Sequence, residues 1–250
     1  MLSEQSLIEI LGDWSFWDNA PSSGLLRQLS LPQRLHADLA LIIQGVRRCG
    51  KSTLLSQLPK HYNIPLKQCY FCNFEDPRLI NDLDHTVLSR ILTLARKKIS
   101  KEKPCYFFFD EIQNVQEWEK WLHTQLERPK ENYFILTGSN SRLLSGEFAT
   151  ALTGRHITLE LFPFSFLEYK VLFPEKNLED YLASGGFPRP LTFEQPYQLL
   201  QEYFSDIILR DVLRRVHART PEAVKQVAKM VFESCGSELS YRKIAAVTGL

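Results

Sequence analysis

The sequence lacks any run of about eighteen consecutive apolar residues, the length that a membrane-spanning helix needs. It also lacks, at residues 1–5, the cationic start and apolar core of a secretory leader. These two absences predict a soluble, cytoplasmic protein with no membrane partner.

An excess of one charge is also missing. The 30 Lys and Arg residues balance 29 Asp and Glu residues, which leaves a formal net charge of +1. A chain whose whole surface binds nucleic acid is strongly basic, so this composition argues against that class and leaves only a local basic patch open. With 250 residues and 44% hydrophobic content, the chain has room for an α/β domain and a smaller helical one.

Cysteine is scarce, and its pattern is neither that of a disulfide framework nor that of a metal site. The five cysteines are odd in number, and three of them lie in apolar runs. Cys69 and Cys72 have the spacing of zinc ligands, but no second pair follows, and side chains three apart on a strand point to opposite faces. We therefore expect reduced thiols that act as small hydrophobic side chains.

The strongest motif is the segment 45–52, GVRRCGKS, which fits the phosphate-binding pattern G-x-x-x-x-G-K-[ST]. An apolar run precedes it and a helical stretch follows. Its two glycines let backbone N–H groups turn towards phosphates, its lysine reaches the β and γ phosphates, and its serine hydroxyl joins the ligands of Mg²⁺. The motif predicts a nucleotide and Mg²⁺ site formed by Gly45, Val46, Arg47, Arg48, Cys49, Gly50, Lys51, Ser52 and Thr53.

A second motif is the apolar run 105–109 followed by Asp110 and Glu111. Two carboxylates directly after a buried strand are typical of nucleotide hydrolases, although they also occur as solvated strand ends. We expect Asp110 to hold Mg²⁺ and Glu111 to orient and deprotonate the attacking water. Many P-loop kinases need no water-activating base, so Glu111 favours a hydrolase.

Further candidates lie at the end of the next apolar run, 133–137, and directly after it. Thr137, Ser139 and Asn140 could sense the γ-phosphate or the water, with Ser139 favoured, although a helix N-cap is an alternative for Asn140. Arg155 could stabilise transition-state charge, either within the chain or across a subunit interface, or it is a solvated surface arginine.

The apolar runs alternate with helical segments, which predicts a parallel sheet with crossover helices. We expect five strands, at 39–44, 68–74, 105–110, 133–137 and 156–161, and helices near 52–60, 83–98, 115–127 and 141–151. A break at 185–190 and a long helical stretch from 197 to about 217 indicate a second, helical domain. The expected parts are a lead-in (1–24), an α/β core (25–172), a helical lid (173–236) and the start of a helix-turn-helix (237–250).

Together the ordered motifs resemble those of the archaeal-type AAA ATP-binding proteins, P-loop ATPases near the STAND branch that often carry winged-helix and nuclease-like C-terminal parts. The matching segments are 45–52, 110–113 (DEIQ), 137–141, 152–155 (LTGR) and 161–168 (LFPFSFLE). The resemblance implies a P-loop NTPase fold with strand order 5-1-4-3-2. It also identifies Gly185, Gly186 and Pro188 as the family's lid motif.

The resulting functional expectation is an ATPase that hydrolyses ATP to ADP and phosphate and thereby drives a conformational switch. The alternative is a nucleotide-dependent scaffold or DNA-associated adaptor with little turnover. ATP is favoured over GTP by the resemblance and by the lack of an N-K-x-D guanine motif. Residues 240–250 look like the beginning of a helix-turn-helix, which leaves open a DNA or protein partner through a missing C-terminal part, and a homo-oligomer also stays open.

Overall fold

The computed structural model describes residues 2–17, 24–99, 104–128, 131–139, 152–213, 221–238 and 240–248. The chain divides into two compact units, Met1–Pro188 and Arg189–Leu250. In the described part of the chain, no helix is long and apolar enough to cross a membrane.

The first unit contains a five-stranded sheet and the helices that cover it. Its strands are β1 (Ala40–Gln44), β2 (Cys69–Asn73), β3 (Cys105–Asp110), β4 (Asn132–Gly138) and β5 (His156–Glu160). Its helices are α1 (Glu4–Trp14), α2 (Lys51–His61), α3 (His85–Leu94), α4 (Trp118–Glu127), α5 (Phe166–Leu172) and α6 (Leu178–Ser184). The predicted helix at 141–151 lies outside the described residues.

All neighbouring strands are parallel, in the order β2-β3-β4-β1-β5. This is the predicted order 5-1-4-3-2, read from the opposite side of the sheet, so the predicted fold class is confirmed. Because the strands are parallel, their carboxyl ends share one edge. At that edge Gln44 pairs with Gly138 and Glu160, and Asn73 pairs with Asp110.

Apolar side chains cover both faces of the sheet, which explains the nearly continuous hydrophobicity of the strands. One face packs against α1, α3 and α4, and the other against α2 and the segment 29–35. Aromatic rings stack across neighbouring strands, with centroids 4.3 Å apart for Phe71 and Phe108. As predicted, Cys69 and Cys72 lie on opposite faces, one in each apolar cluster.

The second unit is helical, with α7 (Pro196–Asp206), α8 (Pro221–Glu233) and α9 (Tyr241–Thr248). The helical path of α7 continues through Ile207–Val212 with wider turns. This agrees with the predicted helical stretch from 197 as far as the structure describes it, and residues 214–220 lie outside. The last helix, α9, coincides with the first helix expected of a helix-turn-helix.

Candidate nucleotide-binding site

The phosphate-binding loop joins the end of β1 to the start of α2, and two glycines determine its shape. A Cβ built on Gly45 would lie 2.3 Å from the carbonyl oxygen of Leu161 and 2.8 Å from Cys49 Sγ, so no side chain fits there. Gly50, which precedes the first residue of α2, has φ +101°, a left-handed conformation that favours glycine. The loop therefore requires glycine at both positions that the motif specifies.

The side chain of Lys51 lies beneath this loop and is only 4% exposed. Its Nζ donates to the carbonyl oxygens of Gly45, at 3.0 Å, and Val46, at 3.2 Å. The same ammonium lies 3.7 Å from Glu111 Oε1. A positive charge is thus held between the loop backbone and the carboxylate that follows β3.

The side chains of Ser52 and Asp110 meet at the carboxyl edge of the sheet. Ser52 Oγ donates to Asp110 Oδ2 at 2.6 Å, and the Thr137 hydroxyl donates to the other carboxylate oxygen. Hydroxyl and carboxylate oxygens are hard ligands of the kind that Mg²⁺ prefers, so this pair fits the predicted metal. Thr137, expected as a phosphate sensor, instead contacts Asp110 and also accepts from the Glu111 backbone N–H at 3.2 Å.

Glu111 follows β3 in a left-handed conformation, with φ 54°. Its carboxylate is buried, and its two oxygens face Lys51 and the Gln113 side-chain amide. Burial raises the pKa of Glu111, and the nearby Lys51 and Gln113 only partly offset this. A carboxylate with a raised pKa in a polar cleft is suited to accept a proton.

Two other predicted residues lie at different edges of the sheet. Ser139 is 3% exposed and directly follows Gly138, which pairs with Gln44 at the start of the phosphate loop. Arg155 precedes β5, so it lies at the amino edge, a strand length away from the loop. There it donates to the carbonyl oxygen of Leu126 at 3.3 Å. The structure therefore brings Ser139 to the site and does not bring Arg155 to it within one chain, while Asn140 lies outside the described residues.

The remaining loop residues differ in exposure. Arg47 pairs with Glu75 at 2.8 Å, while the side chains of Arg48 and Thr53 are exposed. Cys49 is fully buried, and burial raises the pKa of its thiol. A buried, protonated thiol is chemically inert, so Cys49 fills space in the loop.

Sequence reasoning missed Arg27, whose buried guanidinium lies beside the phosphate loop. Arg27 Nη1 donates to the carbonyl oxygen of Cys49 at 3.1 Å, and Arg27 Nη2 donates to that of Phe162 at 2.7 Å. Its Nε pairs with Glu168 Oε1 at 2.7 Å. Glu168 also accepts from the backbone N–H groups of Gln28 and Ser165, the latter in the capping box of α5.

The pKa of Glu168 reflects these contacts. Burial by itself would raise the pKa, but the hydrogen bonds from Arg27 and the two backbone N–H groups outweigh it and hold the pKa below its usual range. Arg27 thus connects the phosphate loop to α5 through an ionised partner. The S-x-x-E capping pattern at 165–168 was the one sequence signal for this arrangement.

The expected lid motif lies next to this arginine. The Phe164 backbone N–H donates to the Gly186 carbonyl oxygen at 2.7 Å, and a Cβ on Gly186 would lie 2.3 Å from the Phe164 carbonyl oxygen. The Arg27 guanidinium lies 4.9 Å from the centre of the Phe164 ring. A Cβ built on Gly50 would lie 3.8 Å from Pro188 Cγ, so the motif borders the phosphate loop.

Two sequence families match this chain. Residues 37–170 match a family described as an AAA domain, and residues 175–250 match a domain of unknown function. An uncharacterized protein of Methanocaldococcus jannaschii is 33% identical over 223 residues, covering 82% of this chain and 48% of the relative. An uncharacterized protein of Haemophilus influenzae is 31% identical over 221 residues, covering 83% and 54%. The chain spans about half the length of these curated relatives.

Among solved structures, C. elegans PCH-2 covers 79% of this chain at 17% identity with a TM-score of 0.33, and 55% of PCH-2 is matched. A structure of katanin, from work on katanin self-assembly, covers 83% of this chain at 14% identity with a TM-score of 0.41, and 68% of the katanin chain is matched.

The AAA family match extends over more than half of the chain and includes the phosphate loop, both carboxylates and β1–β5. The chain therefore belongs to the AAA domain family.

Proposed function

We propose that this chain binds ATP together with Mg²⁺, hydrolyses it to ADP and phosphate, and couples the reaction to a conformational change. One observation carries the proposal: four side chains required by hydrolysis converge at the carboxyl edge of the sheet. Ser52 Oγ lies 2.6 Å from Asp110, and Lys51 Nζ lies 3.7 Å from Glu111. The AAA family match supports a nucleotide-binding, ATPase-like function for the same segment.

Each side chain has a role that its environment supports. Lys51 carries the charge that faces the β and γ phosphates, and the backbone of the loop 45–53 surrounds them. Asp110 and Ser52 would hold Mg²⁺, which neutralises charge on the phosphates when it is bound. Glu111 accepts the proton of the attacking water, and Ser139 hydrogen-bonds to the γ-phosphate.

We further propose how the chain divides into domains and where and with what it acts. Residues 25–172 form the ATPase core, 173–236 a helical lid and 237–250 the start of a helix-turn-helix, with 1–24 as a lead-in. The chain is of the archaeal AAA type near the STAND branch and acts in the cytoplasm. A DNA or protein partner binds through the C-terminal part, and Arg155 contributes to a neighbouring subunit's site in a homo-oligomer.

Phosphate release from Mg·ATP tests the proposal, with nucleotide binding measured on the same samples. We expect Lys51→Ala to abolish both, because it removes the charge beneath the phosphates. Glu111→Gln keeps the shape of the side chain but cannot accept a proton, so it should retain binding and lose at least about a hundredfold in turnover. Unchanged turnover in Glu111→Gln would remove Glu111 from this role.

A second candidate function is a nucleotide-dependent scaffold or DNA-associated adaptor with little turnover. The observation that favours it is the position of Glu111, whose two carboxylate oxygens already face Lys51 and Gln113. A carboxylate held in this way does not activate water until it is released. Tight binding of Mg·ATP that changes the oligomeric state, with negligible phosphate release, would favour this function over hydrolysis.

A further inference from the structure

A cavity of about 280 Å³ opens on the face of the sheet that α2 covers. Three tyrosine rings line it, together with His61, Arg34 and the side-chain amide of Asn63. Tyr106 and Tyr133 are paired in register at the starts of β3 and β4, and their rings stack with centroids 4.7 Å apart at an interplanar angle of 18°. One wall of the cavity is therefore formed by two aromatic rings that stack on each other.

This cavity is separate from the candidate nucleotide site. The phosphate loop precedes α2, whereas His61 is the last residue of that helix and lies at the cavity. The 11 residues of α2 span about 16 Å. Tyr106 and Tyr133 lie at the amino edge of the sheet, and Ser52 and Asp110 meet at the carboxyl edge.

The Tyr62 hydroxyl donates to the Pro32 carbonyl oxygen at 2.9 Å, but other polar groups of the cavity have no hydrogen-bond partner within the described residues. This holds for the side chains of Arg34, His61 and Asn63 and for the hydroxyls of Tyr106 and Tyr133. Donors and acceptors that converge on one concave surface without internal partners are available to a ligand. A bound group with a flat apolar face and a polar edge could stack on the aromatic rings and hydrogen-bond to these side chains.

Two segments that contribute lining residues, 33–36 and 60–68, are basic although the chain as a whole is nearly neutral, and we call them the basic rim. The segments 33–36 and 60–68 contribute the cavity residues Arg34 and His61 and also include Lys60, Lys67 and His36, with no acidic residue. Lys60, Lys67 and Arg34 are exposed. Cations next to stacking aromatic rings are the combination with which proteins bind single-stranded nucleic acids.

We propose that this cavity binds one base of a single-stranded nucleic acid, with the neighbouring phosphates on the basic rim. The base extends the stack of Tyr106 and Tyr133 from an outer ring face, Asn63 hydrogen-bonds to the edge of the base, and Arg34 and Lys60 contact phosphates. Such a site tolerates many sequences, because every base has a face that stacks. It excludes duplex, in which the bases are paired and stacked within the helix.

Fluorescence anisotropy of the full chain with labelled oligo(dT) of about 20 nucleotides tests this proposal. Tyr106→Phe keeps the ring and Tyr106→Leu removes it, so these two variants separate stacking from packing. We expect Tyr106→Leu to weaken binding about tenfold and Tyr106→Phe to change it less than about twofold. Arg34→Ala, at an exposed position, should weaken binding and lower the salt dependence by about one counterion.

Lys120→Ala is the matched control, since Lys120 is an exposed cation on α4, away from the cavity, and its removal should leave binding unchanged. Two competitors distinguish a single strand from other ligands. One is a duplex of the same sequence, and the other is dTMP, tested in the Lys51→Ala variant so that it cannot bind at the phosphate loop. Both should compete at least about tenfold less well than the single strand. The proposal is overturned by absent oligonucleotide binding, by equal binding of Tyr106→Leu and Tyr106→Phe, or by equal competition from duplex or dTMP. None of these results depends on ATP hydrolysis.

Discussion

Replacing Arg27 by Met removes a buried charge while keeping a long apolar side chain. The guanidinium and its partner Glu168 have side chains only 6% and 5% exposed, and the substitution leaves the carboxylate buried without its cation. Two further acceptors lose their donor, the carbonyl oxygens of Cys49 and Phe162. Both protein stability and the phosphate loop should therefore be affected.

The magnitude follows from what remains around the carboxylate. Breaking one side of a buried ion pair costs about 3–5 kcal/mol. Glu168 keeps the N–H groups of Gln28, at 2.9 Å, and Ser165, at 2.8 Å, so we expect the lower end, about 3 kcal/mol. The loss of a charged donor to the Cys49 carbonyl should also weaken ATP binding about tenfold, because such a bond contributes about 1.5 kcal/mol.

Urea unfolding followed by tryptophan fluorescence measures the stability, and all 4 tryptophans lie in the first unit. The control is the double variant Arg27→Met with Glu168→Gln, in which no charge is left unpaired. It should be more stable than Arg27→Met alone, although it carries one more substitution. A single variant that loses less than about 1 kcal/mol, or a double variant no more stable than the single one, would refute the reasoning.

Four further predictions concern titration and reactivity. Because the pKa of Glu111 is raised, kcat for ATP should fall on the acid side with a midpoint above the usual 4.5, as a pH-rate profile would show. Gln113→Ala removes a hydrogen bond that lowers this pKa, so it should move the acid limb to higher pH; a limb that stays in place would contradict the contact. Asp76 has its pKa lowered from 3.8 to about 2, so its ionised form stabilises the fold above about pH 4, and this contribution is lost as the pH falls towards 2. Asp76→Asn should cost about 2 kcal/mol at pH 7, and the difference should shrink in urea titrations at pH 3. Of the thiols, exposed Cys235 should react quickly with a disulfide reagent, and Cys49 only after unfolding.

Much of the fold could be predicted because its signals are local. Each strand of a doubly covered parallel sheet is a short apolar run, and all five runs form strands. The phosphate loop is equally local, since Gly45 and Gly50 are required by backbone geometry within eight residues. The order of the strands came from the resemblance, as no run by itself specifies its neighbours.

The rest of the site depends on contacts between distant segments. Arg27 stands in a stretch without periodicity, and nothing nearby in the sequence indicates that it reaches Cys49 and Glu168. Thr137 was expected to sense phosphate or water, whereas its hydroxyl contacts Asp110, and this contact depends on the register of β3 and β4. The position of Arg155 could have been inferred from strand direction, because a residue before a parallel strand lies opposite the carboxyl ends.

The pair of Arg27 and Glu168 also has a consequence for the time course of folding. The two residues are 141 positions apart, so their contact closes a loop that spans every strand of the sheet. The entropy of closing so long a loop is recovered only after the intervening strands have paired. The phosphate loop therefore reaches its final shape in the last stage of folding, and during refolding the ability to bind nucleotide should recover more slowly than secondary structure.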